Sequence, residues 1–268
     1  MSDTNLMVKS NADVDRVKGE VLYDKDGHKF IWLGWEEHEE EGTVQVNQYL
    51  IIDKGEGILL DPGGIHVFPQ VVGNVSRYID LDNIKHIFFA HQDPDVCSGI
   101  ALWLGVTPAK THISKWWIRF LPHFGVYDKN KVSPIEDRGG FISLPSGGKL
   151  DFIPAHFLHS IGNFNLYDPK AKILFTSDLG AAIFPHNKRY LFVEDFNAHI
   201  KLMEAFHKRF MTSNIAMKAY LKQLYKYKIE MICPQHGAIF PDSETAQKFL
   251  KWLGNLKCGI DIINSIYR

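Results

Sequence analysis

Cysteine is scarce in this sequence, and its cysteines lie far apart. Cys97, Cys233 and Cys258 are the only three in 268 residues, and no CxxC pair occurs. An odd number of widely spaced cysteines supports neither a disulfide framework nor a thiolate zinc knuckle, because both need paired or closely spaced thiols. The sequence therefore predicts a protein of a reducing compartment.

Long apolar runs and an excess of charge of either sign are also absent. No stretch approaches the ~18 uninterrupted apolar residues of a membrane span, and the first 15 residues contain no apolar leader run. Thirty Lys and Arg residues against 31 Asp and Glu residues leave a net charge of -1, which gives no electrostatic reason to bind nucleic acid or anionic membrane. We expect a cytoplasmic protein without a nucleic-acid or membrane partner.

Linkers and internal repeats are missing as well, so the sequence predicts a single domain over residues 1–268. Hydrophobic residues make up 45% and charged residues 23%, as in an ordinary folded chain. Val21–Gly34 is typical of a hairpin around Asp26-Gly27, and Thr43–Ile52 is typical of a strand. Helical periodicity appears between and after the β runs, which favours a layered fold of strands and helices.

The composition is rich in histidine, with 13 residues, and one of them is the first residue of a candidate metal-binding motif. His91-Gln92-Asp93-Pro94-Asp95 follows the apolar run His86–Ala90, which is typical of a strand buried on both faces. Three potential ligands at alternate positions after a strand can be turned toward one point. Alone, this HxDxD pattern is more often a solvated turn than a metal site.

Three further candidate ligands follow apolar β runs. His159 follows Phe152–Leu158, Asp178 follows ILFTS, and His236 comes soon after EMICP. A buried, unpaired carboxylate is costly, so Asp95 and Asp178 each need a cation or hydrogen-bond donors. Two metal ions would satisfy the whole set of predicted ligands, which consists of His91, Asp93, Asp95, His159, Asp178 and His236.

The order of these ligands resembles that of the metallo-β-lactamase fold. More narrowly, it resembles the diiron module of the flavodiiron proteins and the stand-alone oxygen-binding diiron proteins related to them. GILLDPGG at 57–64, HSIGNFNLYDP at 159–169 and LFTSDLGAA at 174–182 are similar to the same branch, and the similarity covers roughly residues 20–255. The resemblance implies an α+β fold, an αβ/βα four-layer sandwich of the metallo-β-lactamase-like type.

The resemblance also implies two iron ions that share one bridging carboxylate, Asp178. The ligands of the first iron would be His91, Asp93 and His159. Those of the second iron would be Asp95 and His236.

Two positions depart from the patterns of related proteins. Hydrolytic members of the fold carry a histidine where Asp93 stands, and flavodiiron cores usually carry a glutamate there. A carboxylate in place of an imidazole favours iron or manganese over zinc, so the expected chemistry moves from hydrolysis toward redox. Val96 stands where the family has a histidine, which leaves the second iron three protein ligands. This departure either opens a coordination position for a diatomic ligand or weakens metal retention, to one ion or none.

The function that the resemblance implies is that of a non-haem diiron protein binding O2 or NO at a diferrous site. It would act as an oxygen sensor or binder or, with a separate electron donor, as an O2 reductase. The alternative is a dinuclear metal hydrolase acting on an ester, thioester or phosphodiester. Asp93 and Val96 disfavour it, because both depart from the pattern of the zinc hydrolases. A scaffold without metal explains the clustering of ligand residues after β runs least well.

Partners follow from the same resemblance. Flavodiiron proteins continue into a flavodoxin-like domain that delivers electrons from FMN, whereas this sequence ends at Arg268 without a further phosphate-cradling loop. We therefore expect no flavin in this chain and a separate electron-donor or signalling protein. In flavodiiron proteins a neighbouring subunit brings the flavin close to the irons, so the analogy predicts a homodimer.

Overall fold

The structure is a computed structural model that describes residues 6–7, 9–35, 44–185 and 188–267. Its first layer of strands is a seven-stranded mixed sheet in the order β1 to β7. The strands are β1 Glu20–Lys25, β2 His28–Trp32, β3 Tyr49–Asp53, β4 Glu56–Leu60, β5 Ile84–Phe88, β6 Lys110–Ser114 and β7 Val132–Ile135. The strands from β1 to β4 pair antiparallel, and those from β4 to β7 pair parallel.

The second sheet has five strands in the order β12-β11-β10-β9-β8. Its strands are β8 Gly140–Ser143, β9 Lys149–Pro154, β10 Phe164–Asp168, β11 Ile173–Ser177 and β12 Met231–Pro234. Only β11 and β12 pair parallel, and the other neighbours pair antiparallel. The two strands that lead to Asp178 and His236 therefore run side by side in one direction.

Helices pack against the outer face of each sheet, except for the last short helix, which has no buried residue. They are α1 Phe68–Val75, α2 Pro94–Cys97, α3 Ile100–Val106, α4 Phe196–Phe210, α5 Asn214–Leu224, α6 Ser243–Asn255 and α7 Ile263–Ile266. The α6 helix begins at a capping box in which the Asp242 side chain accepts from the backbone of Thr245, and such a cap satisfies N–H groups that would otherwise lack partners. Within the described ranges, none of the helices is long and apolar enough to cross a membrane.

Three apolar clusters separate these layers. Side chains of both sheets, such as Phe88 and Phe175, form the central cluster. Trp103 of α3 belongs to a second cluster on the outer face of the first sheet, and Met203 and Phe249 belong to a third on the outer face of the second sheet. The succession of helices, sheet, sheet and helices confirms the predicted α+β four-layer architecture.

The local predictions hold at the first hairpin and fail in part at the next strand. Asp26 and Gly27 join β1 and β2 and both have a positive φ, as their residue types predicted. In Thr43–Ile52, strand geometry begins only at Tyr49, and Thr43 lies outside the described residues. Residues 44–48 leave the strand because the backbone N–H of buried Asn47 donates to the carbonyl oxygen of Gln235 instead of to a neighbouring strand, and its side-chain amide donates to the carbonyl oxygens of Pro234 and Gly237.

Candidate metal centre

The predicted ligands lie in segments that follow strands of both sheets. From the first sheet, β5 ends at Phe88 and leads to His91 and to the short helix α2. From the second sheet, Asp178 follows β11 directly and His236 comes two residues after β12. Ligand-bearing segments after strand ends are common in layered α/β proteins because loops there are free of packing constraints.

His159 and Asp95 reach the site by routes other than the expected ones. His159 was expected at the end of the apolar β run Phe152–Leu158, but β9 ends at Pro154 and His159 lies in the loop of residues 155–163. This loop is held by its own backbone, since Ala155 N–H donates to the carbonyl oxygen of Asn163 at 2.9 Å. Asp95 sits in the first turn of α2, with Asp93 at the N-cap position of the same helix.

Four of the ligand groups converge on one point. His91, Asp93, His159 and Asp178 each offer a ligand atom, and these atoms lie within 4.8 Å of one another. The Nε2 atoms of His91 and His159 both lie 3.6 Å from Oδ2 of Asp93. They lie 3.7 and 2.6 Å, respectively, from Oδ2 of Asp178. Ligands about 2.1 Å from a shared ion are about 3.0–3.4 Å apart, so most of these separations are close to those of one coordination sphere.

The other predicted ligands form a second group around the same bridging residue. His236 Nε2 lies 3.1 Å from Oδ2 of Asp95 and 3.5 Å from Oδ1 of Asp178. The two carboxylate oxygens of Asp178 are therefore divided: Oδ2 faces His91 and His159, and Oδ1 faces His236. The structure thus brings the six predicted residues into two ligand sets that share one carboxylate.

Two buried polar atoms in this centre lack a hydrogen bond. They are Nε2 of His91 and Oδ1 of Asp178, one from each side of the shared carboxylate. A buried polar atom without a partner is costly, and a cation between these groups would satisfy both. The donor set of imidazole nitrogens and carboxylate oxygens is one that iron, manganese and zinc accept. The residues present therefore fit a pair of metal ions.

The electrostatics of the centre favour cations. Burial raises the pKa of Asp178, but the charge of His91, the hydrogen bond from His159 and the charge of nearby His236 outweigh it and hold that pKa well below its usual value. Burial lowers the pKa of His91, yet the neighbouring Asp178 and Asp93 carboxylates raise it to about 9. The same balance, with Asp178 and Asp95 as partners, raises the pKa of His236 well above its usual value. A pocket that stabilises positive charge this strongly also attracts metal ions, which compete with these protons for the same nitrogens.

The family follows from a match over most of this region. A family model described as ODP family beta lactamase matches residues 44–237, which include all six predicted ligands. The chain belongs to this family. The predicted resemblance to diiron proteins of the metallo-β-lactamase fold is confirmed.

Among solved structures, this ODP-family chain is similar to a chemotaxis sensor and shares its fold with an oxidoreductase. A structure described as the apo state of chemotaxis sensor ODP from T. denticola is 50% identical, has a TM-score of 0.82, and the match covers 92% of this chain and 98% of that one. A second structure of chemotaxis sensor ODP, described as a peroxy diiron species, has a TM-score of 0.83 and the same identity, with coverage of 92% and 99%. Rubredoxin oxygen:oxidoreductase from the anaerobe Desulfovibrio gigas shares the fold at 17% identity and a TM-score of 0.74, over 88% of this chain and 61% of that one.

Among curated proteins, an uncharacterised protein of Methanocaldococcus jannaschii is 26% identical over 255 residues, which is 88% of this chain. The ODP-family chain spans 61% of the length of that relative.

In this ODP-family site one hydrogen bond orients the ring of His236, and another holds the backbone of His91. Nδ1 of His236 lies 2.6 Å from the carbonyl oxygen of Gln45 and donates to it, which leaves Nε2 free to bind an ion. The carbonyl oxygen of His91 accepts from the thiol of Cys97 at 2.9 Å. Cys97 is fully buried, and burial raises the pKa of its thiol well above the usual value. Cys97 is therefore a packing residue that supports the His91 backbone.

Three buried residues behind the ligands were not recognised as functional from the sequence. They are Asp61, Ser177 and Gln235. Asp61 accepts from the backbone N–H of Ala90 at 2.8 Å and from the hydroxyl of Ser177 at 2.7 Å, and so connects the residues that precede His91 and Asp178. Burial raises the pKa of Asp61 to about 7 despite the opposing charge of His91 and these two hydrogen bonds. The motif GILLDPGG contains Asp61 and was the available signal, but it indicated only the fold.

Apolar side chains occur around His159 of the first ligand set, and we call this group of residues the apolar mouth. The ring of His159 packs edge-on against Phe206 and Phe210 of α4, with centroids 6.1 and 5.9 Å apart. Phe157 and Ile161, two residues to either side of His159, are about half exposed, and Phe210 is 54% exposed. The His159 ring is therefore in contact with aromatic rings of α4, and exposed apolar residues flank it in the sequence.

Proposed function

We propose that this chain is a non-haem diiron protein that binds O2 and acts as an oxygen sensor. The proposal rests on the divided carboxylate of Asp178, because one oxygen toward each ligand set is the arrangement that a pair of ions requires. The likeness to chemotaxis sensor ODP, for which a peroxy diiron species has been described, supports iron as the metal and O2 as the ligand. When bound, a pair of ferrous ions supplies a binding site for O2 and electrons to pass to it.

The ligands divide between the ions as the two sets divide in space. His91, Asp93 and His159 would hold the first ion. Asp95 and His236 would hold the second, and Asp178 would bridge. The carboxylate at Asp93 supports iron over zinc, because a harder and more negative donor stabilises an ion that becomes oxidised.

Val96 supports gas binding at the second ion. It is fully buried in an apolar cluster and carries no ligand atom, so the second ion would have three protein ligands. A coordination position without a protein ligand is what a diatomic molecule needs. The apolar mouth around His159 favours entry of a neutral gas over that of a charged substrate such as a phosphodiester.

Sensing, rather than repeated reduction of O2, is the finer part of the proposal. It is supported by 50% identity to a chemotaxis sensor over nearly the full length of both chains, whereas likeness to the oxidoreductase is limited to the fold. A sensor passes its state to a signalling protein, so we propose that such a partner exists for this chain. NO is the competing diatomic ligand for the same position.

The test is metal analysis of anaerobically purified protein followed by visible spectra on admission of air. We expect two irons per chain and a new visible absorption band that persists without an electron donor. Zinc in place of iron, with esterase activity and no colour change, would instead support the dinuclear hydrolase. Rapid loss of the band with continued O2 consumption, once a reductant is added, would identify a reductase.

A further inference from the structure

Gln92 lies between two of the metal ligands and contacts both of their segments. Its side-chain Nε2 lies 3.0 Å from Oδ1 of Asp93. Its Oε1 lies 2.8 Å from the hydroxyl of Ser160, the residue that follows His159. The three side chains form a continuous chain of hydrogen bonds, Ser160 to Gln92 to Asp93, which we name the Gln92 clamp.

Chemistry determines the orientation of the amide in this clamp. An ionised carboxylate only accepts hydrogen bonds, so the amide NH2 of Gln92 must face Asp93. The amide oxygen then faces Ser160, whose hydroxyl can donate to it. The reverse orientation would bring the amide oxygen against the carboxylate oxygen of Asp93, and two acceptors repel each other.

The clamp determines which oxygen of Asp93 is available to metal. Oδ1 is engaged by Gln92, whereas Oδ2 lies 3.6 Å from Nε2 of both His91 and His159. Asp93 therefore offers one oxygen to the first ion, in a fixed plane. Such an outer hydrogen bond matters more here than it would for the usual glutamate, because the shorter aspartate side chain has less freedom to adjust its reach.

The clamp also joins segments that belong to different sheets. Asp93 follows β5 of the first sheet, and Ser160 lies in the loop after β9 of the second sheet. Ser160 is buried and its carbonyl oxygen accepts from Phe157 N–H at 2.8 Å, so it is fixed within its loop. Gln92 thus sets the separation between Asp93 and His159, two ligands of the same ion.

We propose that Gln92 is a positioning residue for the first ion, which it acts on through Asp93 and His159 and does not contact. This inference rests on the proposed two-ion centre. It predicts an asymmetry, because none of the clamp's hydrogen bonds reaches Asp95 or His236. Loss of the clamp should weaken one metal-binding step and leave the other unchanged.

The test uses Co2+ as the probe, titrated into metal-free full-length protein under argon and followed by its visible absorption. In Gln92→Leu we expect one of two binding steps to weaken by about tenfold or more, as is typical when an outer hydrogen bond to a ligand is lost. The band of that step should also change shape, since the geometry of the ion changes. Ser160→Ala should weaken the same step to a smaller degree, and the double variant should be no weaker than Gln92→Leu alone.

Gln223→Leu is the matched control, because Gln223 also donates one long-range hydrogen bond, to the carbonyl oxygen of Pro154 at 3.1 Å, away from the ligands. Its Co2+ titration should equal that of the wild type. Equal weakening of both steps in Gln92→Leu, or no change in either, would overturn the positioning role. A wild-type chain that takes up no Co2+ would overturn the two-ion centre and the clamp together, whereas two normal Co2+ steps with an iron form inert to O2 would overturn only the oxygen-binding function.

Discussion

The proposed function gives the second ion three protein ligands because position 96 is Val, so Val96→His is the sharpest perturbation of that proposal. Val96 is fully buried in a cluster that includes Val67, Cys97 and Ile100. Enlarging a packed side chain costs about 1–3 kcal/mol, and burying an imidazole without a partner costs about 1–3 kcal/mol more. We take about 3 kcal/mol as the expected loss of unfolding free energy in the metal-free variant.

Metal should restore most of this loss if the new imidazole reaches the second ion. Each tenfold gain in affinity adds about 1.4 kcal/mol to the stability of the loaded protein, so a gain of roughly a hundredfold offsets most of the loss. For a chain of this size about 3 kcal/mol corresponds to roughly 6–12 °C in Tm. Thermal unfolding under argon, with and without Fe2+, measures the difference, and air should produce a weaker visible band because the open position is filled.

The control is Val96→Leu, which enlarges the same side chain without adding a ligand atom. Its Tm deficit should be the same with and without Fe2+. If Val96→His also shows one constant deficit, and its colour change in air equals that of the wild type, position 96 does not face an ion, and the open coordination position has to be abandoned.

Two further substitutions test the bridge and the interior. Asp178→Asn keeps the size of the bridging side chain but removes its charge, so we expect it to retain fewer than two irons per chain after dialysis; full retention by metal analysis would contradict the bridge. His28→Phe breaks a fully buried triad in which Nδ1 of His28 lies 2.8 Å from Asp53 and Nε2 lies 2.7 Å from Asp168. We expect the free energy of unfolding, measured in urea, to fall by about 3–5 kcal/mol. Burial lowers the pKa of His28, but hydrogen bonds and charge from Asp168 and Asp53 raise it overall. The contribution of His28 to stability is therefore complete below pH 6.5 and is lost as the pH rises through the pKa that His28 has in the folded protein. Burial raises the pKa of Asp53, but His28 and Ser146 lower it overall, so the contribution of Asp53 to stability is lost as the pH falls below 3.8. A stability difference between His28→Phe and the wild type that does not change with pH would contradict this account.

The clustering of the candidate ligands was predictable from a local rule, whereas their role as ligands stays a prediction. His91, Asp178 and His236 come within three residues of a strand end, and the segments after strand ends in a layered fold collect functional groups. Asp178 illustrates this: β11 is buried at all five positions, and the first residue after it is the carboxylate that we propose as the bridge. The hairpin at Asp26-Gly27 was predictable for a similar reason, since two adjacent residues that tolerate positive φ determine the turn.

Interactions between distant segments were not predictable. Asn47 donates to the carbonyl oxygen of Gly237 across 190 positions of sequence, and no local pattern marks either partner. The strands β7 and β8 also escaped recognition. Each is an edge strand with one neighbour, β7 contains Pro134, and β8 is mostly exposed, so neither has the apolar alternation of an inner strand.

The charge of the ligand set explains why Asp93 matters for the choice between hydrolysis and redox chemistry. Asp93, Asp95 and Asp178 supply three carboxylates, so two divalent ions would leave one net positive charge in the pocket. With histidine at position 93 the pocket would hold two carboxylates and one more positive charge, and removing electrons from the ions would be harder. At low effective dielectric a single charge a few ångströms from an ion shifts its energy by several kcal/mol. A carboxylate at position 93 therefore favours loss of electrons from the proposed ions over polarisation of bound water.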